Sequence, residues 1–174
     1  MKRIFIPSGI LISIILAAGL FSQGLIYVGV QKCQICHKTE RQGMQFPIWE
    51  KSRHSKSFSS LSSPQASTAA QVLGVTNPPE SPKCLTCHAP LFERAPELKA
   101  EGVTCEVCHG PGSEYKKLSV MRNRDEAAKN GLVVYADADA VKTLCLSCHQ
   151  NAHGKPFDFK AAWENIKHTI PEKR

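Results

Sequence analysis

Cys33-Gln34-Ile35-Cys36-His37, Cys84-Leu85-Thr86-Cys87-His88, Cys105-Glu106-Val107-Cys108-His109 and Cys145-Leu146-Ser147-Cys148-His149 take up all eight cysteines of the 174-residue chain. Cys-x-x-Cys-His is the attachment signature of c-type haem. Its two thiols add to the vinyl groups as thioethers, and the adjoining histidine is placed to bind the iron on one face. Four copies predict four haem c groups, held by Cys33, Cys36, Cys84, Cys87, Cys105, Cys108, Cys145 and Cys148, with His37, His88, His109 and His149 as iron ligands. Zinc is the competing use of paired cysteines. Two tetrahedral sites would be filled by the eight thiolates alone, leaving four adjoining histidines unexplained. A disulfide framework needs no fixed histidine either.

Working outward, the chain begins with Lys2 and Arg3, an uncharged, mostly apolar run from Ile4 to Phe21, and Ser22-Gln23-Gly24. Basic, apolar, then small residues is the order of a secretory signal peptide. Export agrees with the motifs, because this type of haem attachment takes place outside the cytoplasm. The apolar run is borderline for a spanning helix, and Pro7 interrupts its start. The expected organisation is therefore a leader over residues 1–24, with a retained membrane anchor as the alternative, and one tetrahaem domain over 25–174. The product is periplasmic or otherwise extracytoplasmic.

The formal charge of +7 loses Lys2 and Arg3 with the leader. Haem propionates offset much of the rest, so the basic balance does not point to nucleic acid. A domain of about 150 residues gives each of four haems fewer than about 40 residues. That is too little protein for separate cores, so the haems themselves must form most of the interior and lie close together.

Secondary-structure signals are helical. A helix is expected from about Pro47 to Leu61, with Pro47 in its first turn and His54, Phe58 and Leu61 on one face. Ser63-Pro64 opens a second helix that Gly74 ends. A helical stretch from Ser113 to Asn130 breaks near Asn123. Asp137 or Asp139 caps the helix into the fourth motif. Asp158 caps a last helix with the apolar stripe Phe159, Ala162, Trp163 and Ile166, ended by Pro171. Leu132–Tyr135 is the one short strand candidate. The second and third motifs start only 21 residues apart, against 51 and 40 for the other intervals, which makes the second and third haems expected neighbours. The fold class is mainly α: short helices and loops packed round four covalent haems.

Each iron has a second axial position whose occupant sets potential and reactivity. Of seven histidines, His54, His153 and His168 lie outside the motifs. All three are candidate distal ligands. Three histidines for four irons leaves one iron five-coordinate, water-bound, or bound to a methionine such as Met44 or Met121. Trp49, Trp163 and the phenylalanines read as walls packing on haem.

Five segments resemble the tetrahaem cytochrome c-554 family. They are Tyr27-Val28-Gly29, Trp49-Glu50-Lys51-Ser52-Arg53-His54, Ser81-Pro82-Lys83, GVTCEVCHGPGSEY from Gly102 to Tyr115, and FDFKAAWENIKH from Phe157 to His168. The resemblance implies a mainly helical fold with haems in stacked and nearly perpendicular pairs. It also implies three bis-histidine haems and one high-spin haem with an open face, the second, here on Cys84, Cys87 and His88. Many other multihaem cytochromes carry a histidine where this chain has Tyr115, so that fourth distal ligand is absent.

The leading functional expectation is an electron carrier between an oxidoreductase and another redox protein, since no acid–base pair or nucleophile constellation is visible. A haem enzyme acting on nitric oxide or hydroxylamine at the open iron is the first alternative. A membrane-anchored quinol-oxidising cytochrome is the second, disfavoured because Thr39 stands where those proteins carry methionine. The sequence offers no test of a haem filament.

Overall fold

The computed structural model describes residues 24–150 and 152–168. The basic-apolar leader, apart from Gly24, and Pro171 lie outside them. Among the described residues the chain is helical without a strand: α1 Val30–His37, α2 Gln45–Lys51, α3 Pro64–Val72, α4 Pro82–His88, α5 Cys105–His109, α6 Leu118–Met121, α7 Arg124–Lys129, α8 Ala138–Leu146 and α9 Phe159–Ile166. Short 3₁₀ turns fill several connections. None of these helices is long and apolar enough to cross a membrane.

Local chemistry accounts for most boundaries. The Ser63 hydroxyl accepts from the Ala66 amide, with Pro64 in the first turn of α3. Asn123 accepts from the amides of Asp125 and Glu126 and starts α7. Asp137 and Asp158 cap α8 and α9 through the amides of Ala140 and Ala161. Each cap satisfies an amide that the first helical turn leaves without a partner.

The long helix expected from Pro47 to Leu61 is instead α2 followed by two 3₁₀ turns, His54–Lys56 and Ser59–Ser62. Serine explains the break. Ser52 is extended, and its hydroxyl bonds back to the Trp49 carbonyl at 2.7 Å. Ser55, Ser57 and Ser60 likewise donate to nearby carbonyls. Such local side-chain bonds compete with helix continuation. The helical stretch expected from Ser113 begins only at Leu118, the preceding residues forming turns. The strand candidate Leu132–Tyr135 forms neither strand nor helix; the Val133 amide bonds the His109 carbonyl at 3.0 Å.

The interior is thin. A small apolar cluster joins Leu61, Leu85 and Ala89, with Phe58, Cys84 and Phe92 packed against it. Helices of four or five residues, such as α6 and α5, do not persist alone in water, so contacts between segments must hold them. Around α5 those contacts are polar. The Glu106 side chain, 2% exposed, accepts from the amides of Val28, Gly29 and Gly112 at 2.6–3.0 Å. The Trp49 indole donates to the Val103 carbonyl at 2.8 Å. Gly102, at φ +72°, lies so close to the 3₁₀ turn at His54 that a Cβ would stand 2.7 Å from the His54 carbonyl oxygen. Only glycine adopts that conformation without strain and leaves room for the approach.

Candidate haem and metal centre

In a helix, residues i, i+3 and i+4 share a face, so Cys-x-x-Cys-His presents both thiols and the imidazole together. Helices α1, α4 and α5 each end on a motif histidine. The fourth motif starts in the last turn of α8 and keeps the helical bond from the His149 amide to the Cys145 carbonyl, 3.0 Å. No disulfide joins any of the eight cysteines. Among the described residues, no three or more His, Cys, Asp or Glu side chains gather to hold a bare metal ion.

The histidines come in facing pairs. His54 faces His149 with ring centres 6.3 Å apart, His153 faces His88 at 6.1 Å, and His168 faces His109 at 5.8 Å. Each pair joins one motif histidine to one from outside the motifs. An imidazole nitrogen binds a transition metal at about 2.0 Å, and the ring centre lies about 1.1 Å behind it. Two rings bonding one iron therefore have centres about 6 Å apart. The three separations fit a metal between each pair. His153 reaches its position with a left-handed backbone, φ 59°, uncommon for a residue other than glycine. His88 faces His153, whereas the resemblance implies an open position at the second motif.

Three of the histidines have an acceptor beside Nδ1. His88 Nδ1 lies 2.8 Å from the Ser57 carbonyl and 3.3 Å from the Ser60 hydroxyl. His168 Nδ1 lies 3.2 Å from the Ile166 carbonyl, and His37 Nδ1 lies 3.3 Å from Gln45 Oε1. An Nδ1–H donated to such an acceptor fixes the tautomer and leaves Nε2 for a metal. Electrostatics favour neutral rings. Burial, with His168 and His37 nearby, pushes His109 down to about 4. Burial, then His149, lowers His54, and burial lowers His149.

The thiols also neighbour one another. Cys33 hydrogen-bonds Cys105, Cys87 hydrogen-bonds Cys148, and Cys108 lies beside Cys145 and Cys148. First and third motifs thus meet, as do second and fourth, and third and fourth. The short interval between second and third motifs does not govern these contacts. Burial pushes Cys87 and Cys108 up to about 11, surroundings suited to uncharged sulfur, as in a thioether.

Met44, in a left-handed turn, and Met121, ending α6, are half-buried. The hydroxyl of buried Tyr115 donates to the Gly110 carbonyl at 2.9 Å. Gln45, Ser57, Ser60 and Glu106 escaped sequence reasoning. Glu106 alone left a signal: a carboxylate where the second and fourth motifs carry Leu85 and Leu146.

Comparison with known proteins points the same way. The family described as cytochrome c554 and c-prime matches residues 32–110, which take in the first three motifs. Cytochrome c-554 of Nitrosomonas europaea is 26% identical across 75% of this chain, and the match spans 60% of that protein's length. No solved structure matches. Motifs, helical architecture and both similarities agree on a c-type cytochrome similar to the cytochrome c-554 family, with covalently bound haem c and its iron as the cofactor implied.

Proposed function

We propose that this chain carries four haems c and passes electrons between redox proteins outside the cytoplasm, with residues 1–24 directing its export. Cys33 and Cys36, Cys84 and Cys87, Cys105 and Cys108, and Cys145 and Cys148 would hold the four groups. His37, His88, His109 and His149 bind iron on one side; His153, His168 and His54 complete the second, third and fourth sites. The observation that carries this reading is the set of facing imidazoles at 5.8–6.3 Å, each uniting a motif histidine with an outside one. When bound, the haem irons supply one-electron oxidation and reduction.

The chain's contribution is spacing and orientation. Motif cysteines in mutual contact bring the attachment points together, which favours transfer within the molecule. Carbonyl and hydroxyl acceptors hold the imidazoles in place and raise their basicity as ligands. Carrier rather than enzyme is preferred because all three outside histidines face motif histidines. None is left to move a proton in a transition state, where catalysis must be made.

Mass spectrometry of the mature protein should show the polypeptide plus four haem masses, stable to acid–acetone. Electron paramagnetic resonance should then show three low-spin haems. His54→Ala, His153→Ala and His168→Ala should each convert one of them to high spin. Extractable haem, or a low-spin count unchanged in all three variants, would refute the assignment.

A further inference from the structure

The three facing pairs use six of the seven histidines, and the remaining one is His37 of the first motif. We propose that the iron without a second imidazole belongs to the haem on Cys33, Cys36 and His37, and that Gln45 sets the strength of this single histidine ligand. The proposal rests on the four-haem reading above. It differs from the family resemblance, which places the open iron on Cys84, Cys87 and His88.

Independent observations converge on the first motif. His153 faces His88 from a left-handed backbone, a conformation costing about 1–3 kcal/mol that persists only where its surroundings enforce it. The second site therefore has its imidazole. Tyr115 lies near Cys33, and its hydroxyl is committed to the Gly110 carbonyl. Cys36 is the exposed cysteine of the eight, and Ile35 beside it is 68% exposed. The first motif is thus turned to solvent at its attachment edge.

Gln45 is held to its task. Gly43 and Met44 are both left-handed, φ 95° and 55°, and their turn leads the chain from Gln42 into α2. The Met44 amide ties this turn to the Thr39 carbonyl at 3.1 Å. Gln45 Nε2 donates to the Gln42 carbonyl, which orients the amide so that Oε1 faces His37 Nδ1 at 3.3 Å. An acceptor on Nδ1–H makes an imidazole a stronger donor to metal. On an iron with a second imidazole this influence is shared between two ligands. On an iron with one, it acts undivided on the only protein bond. Gln45 is thus a positioning residue.

The test uses the full holoprotein, reduced, by resonance Raman spectroscopy. An iron–histidine stretch is seen for five-coordinate ferrous haem and not for six-coordinate bis-histidine haem, so it reports the open site alone. One such band is expected, moving down in Gln45→Leu, which removes the acceptor, and up in Gln45→Glu, which strengthens it. Three low-spin haems and one carbon monoxide bound per chain should persist in all three proteins. A band unmoved in both variants would place the open iron on another motif. Four low-spin haems would also overturn the proposal, giving the first iron a ligand such as Met44 or Met121. Fewer than four haem masses overturns the underlying reading first, and is settled by mass before any spectrum is taken.

Discussion

At the residue following the first cysteine, the third motif has Glu106 and the first has Gln34. Glu106 is 2% exposed and gathers three backbone amides, two from a distant segment and one from the turn that follows α5. Gln34 is half-exposed on α1, and the next residue, Ile35, is 68% exposed. The same five-residue chemistry is thus embedded in one place and displayed in another. Around the third motif, Trp49, Gly102, Thr104 and Tyr115 add contacts that fix the backbone. Around the first, the histidine Nδ1 lies 3.3 Å from a glutamine amide oxygen. Haem attachment needs only the motif; what differs is how firmly each site is held and how open it is to water.

Glu106→Ala should break this contrast most severely. Three amides, those of Gly29 and Gly112 buried and that of Val28 half-buried, lose their acceptor, and each buried polar group left unsatisfied costs about 1–3 kcal/mol. A loss of at least about 3 kcal/mol is expected, read as a fall in the denaturant midpoint of the holoprotein at constant slope. Glu106→Gln keeps an acceptor oxygen and should cost less. If both variants unfold like the parent, the third motif is not held by this carboxylate.

Gly102→Ala comes next. Placing alanine at φ +72° costs about 1–3 kcal/mol, and its Cβ would press on the His54 carbonyl at 2.7 Å. Because that carbonyl belongs to the turn carrying His54, the expected loss of stability should be accompanied by a weaker His54–His149 pairing. The accompanying measurement is the low-spin count: one partly high-spin haem beside the lowered midpoint. Loss of stability with all low-spin signals intact would separate packing at Gly102 from ligand placement.

The sequence made legible what depends on near neighbours. The attachment motifs, the caps at Ser63, Asp137 and Asp158, the break at Asn123 and the three histidines outside the motifs were all readable from residue type and short spacing. Pairing was not. His54 faces the fourth motif although it lies closest along the chain to the first, and His168 faces the third rather than the fourth. Such choices depend on contacts between distant segments, which carry no local periodicity. The serines at 52, 55, 57 and 60 concealed the end of α2, because each hydroxyl can either face solvent or bond back to a carbonyl. Glu106 was hidden differently: a carboxylate reads as surface unless its three amide donors, two of them more than seventy residues away, are known.

The smallest effect should come from the displayed side of the comparison. In α1, Cys33, Cys36 and His37 share one face, and helical geometry turns Gln34 and Ile35 away from it. Gln34→Ala trades one good helix former for a better one, and Ile35→Ser costs a few tenths of a kcal/mol in propensity. Removing an isoleucine side chain that remains largely in water forfeits little burial, so each variant should stay within about 0.5 kcal/mol of the parent. Denaturant midpoints measured beside that of Glu106→Ala check this directly. The informative failure is Ile35→Ser alone losing more than about 1 kcal/mol, a size reserved for buried contacts. That result would mean that Ile35 is covered in the working protein. The first motif would then resemble the third in being enclosed, and the contrast between them would be lost.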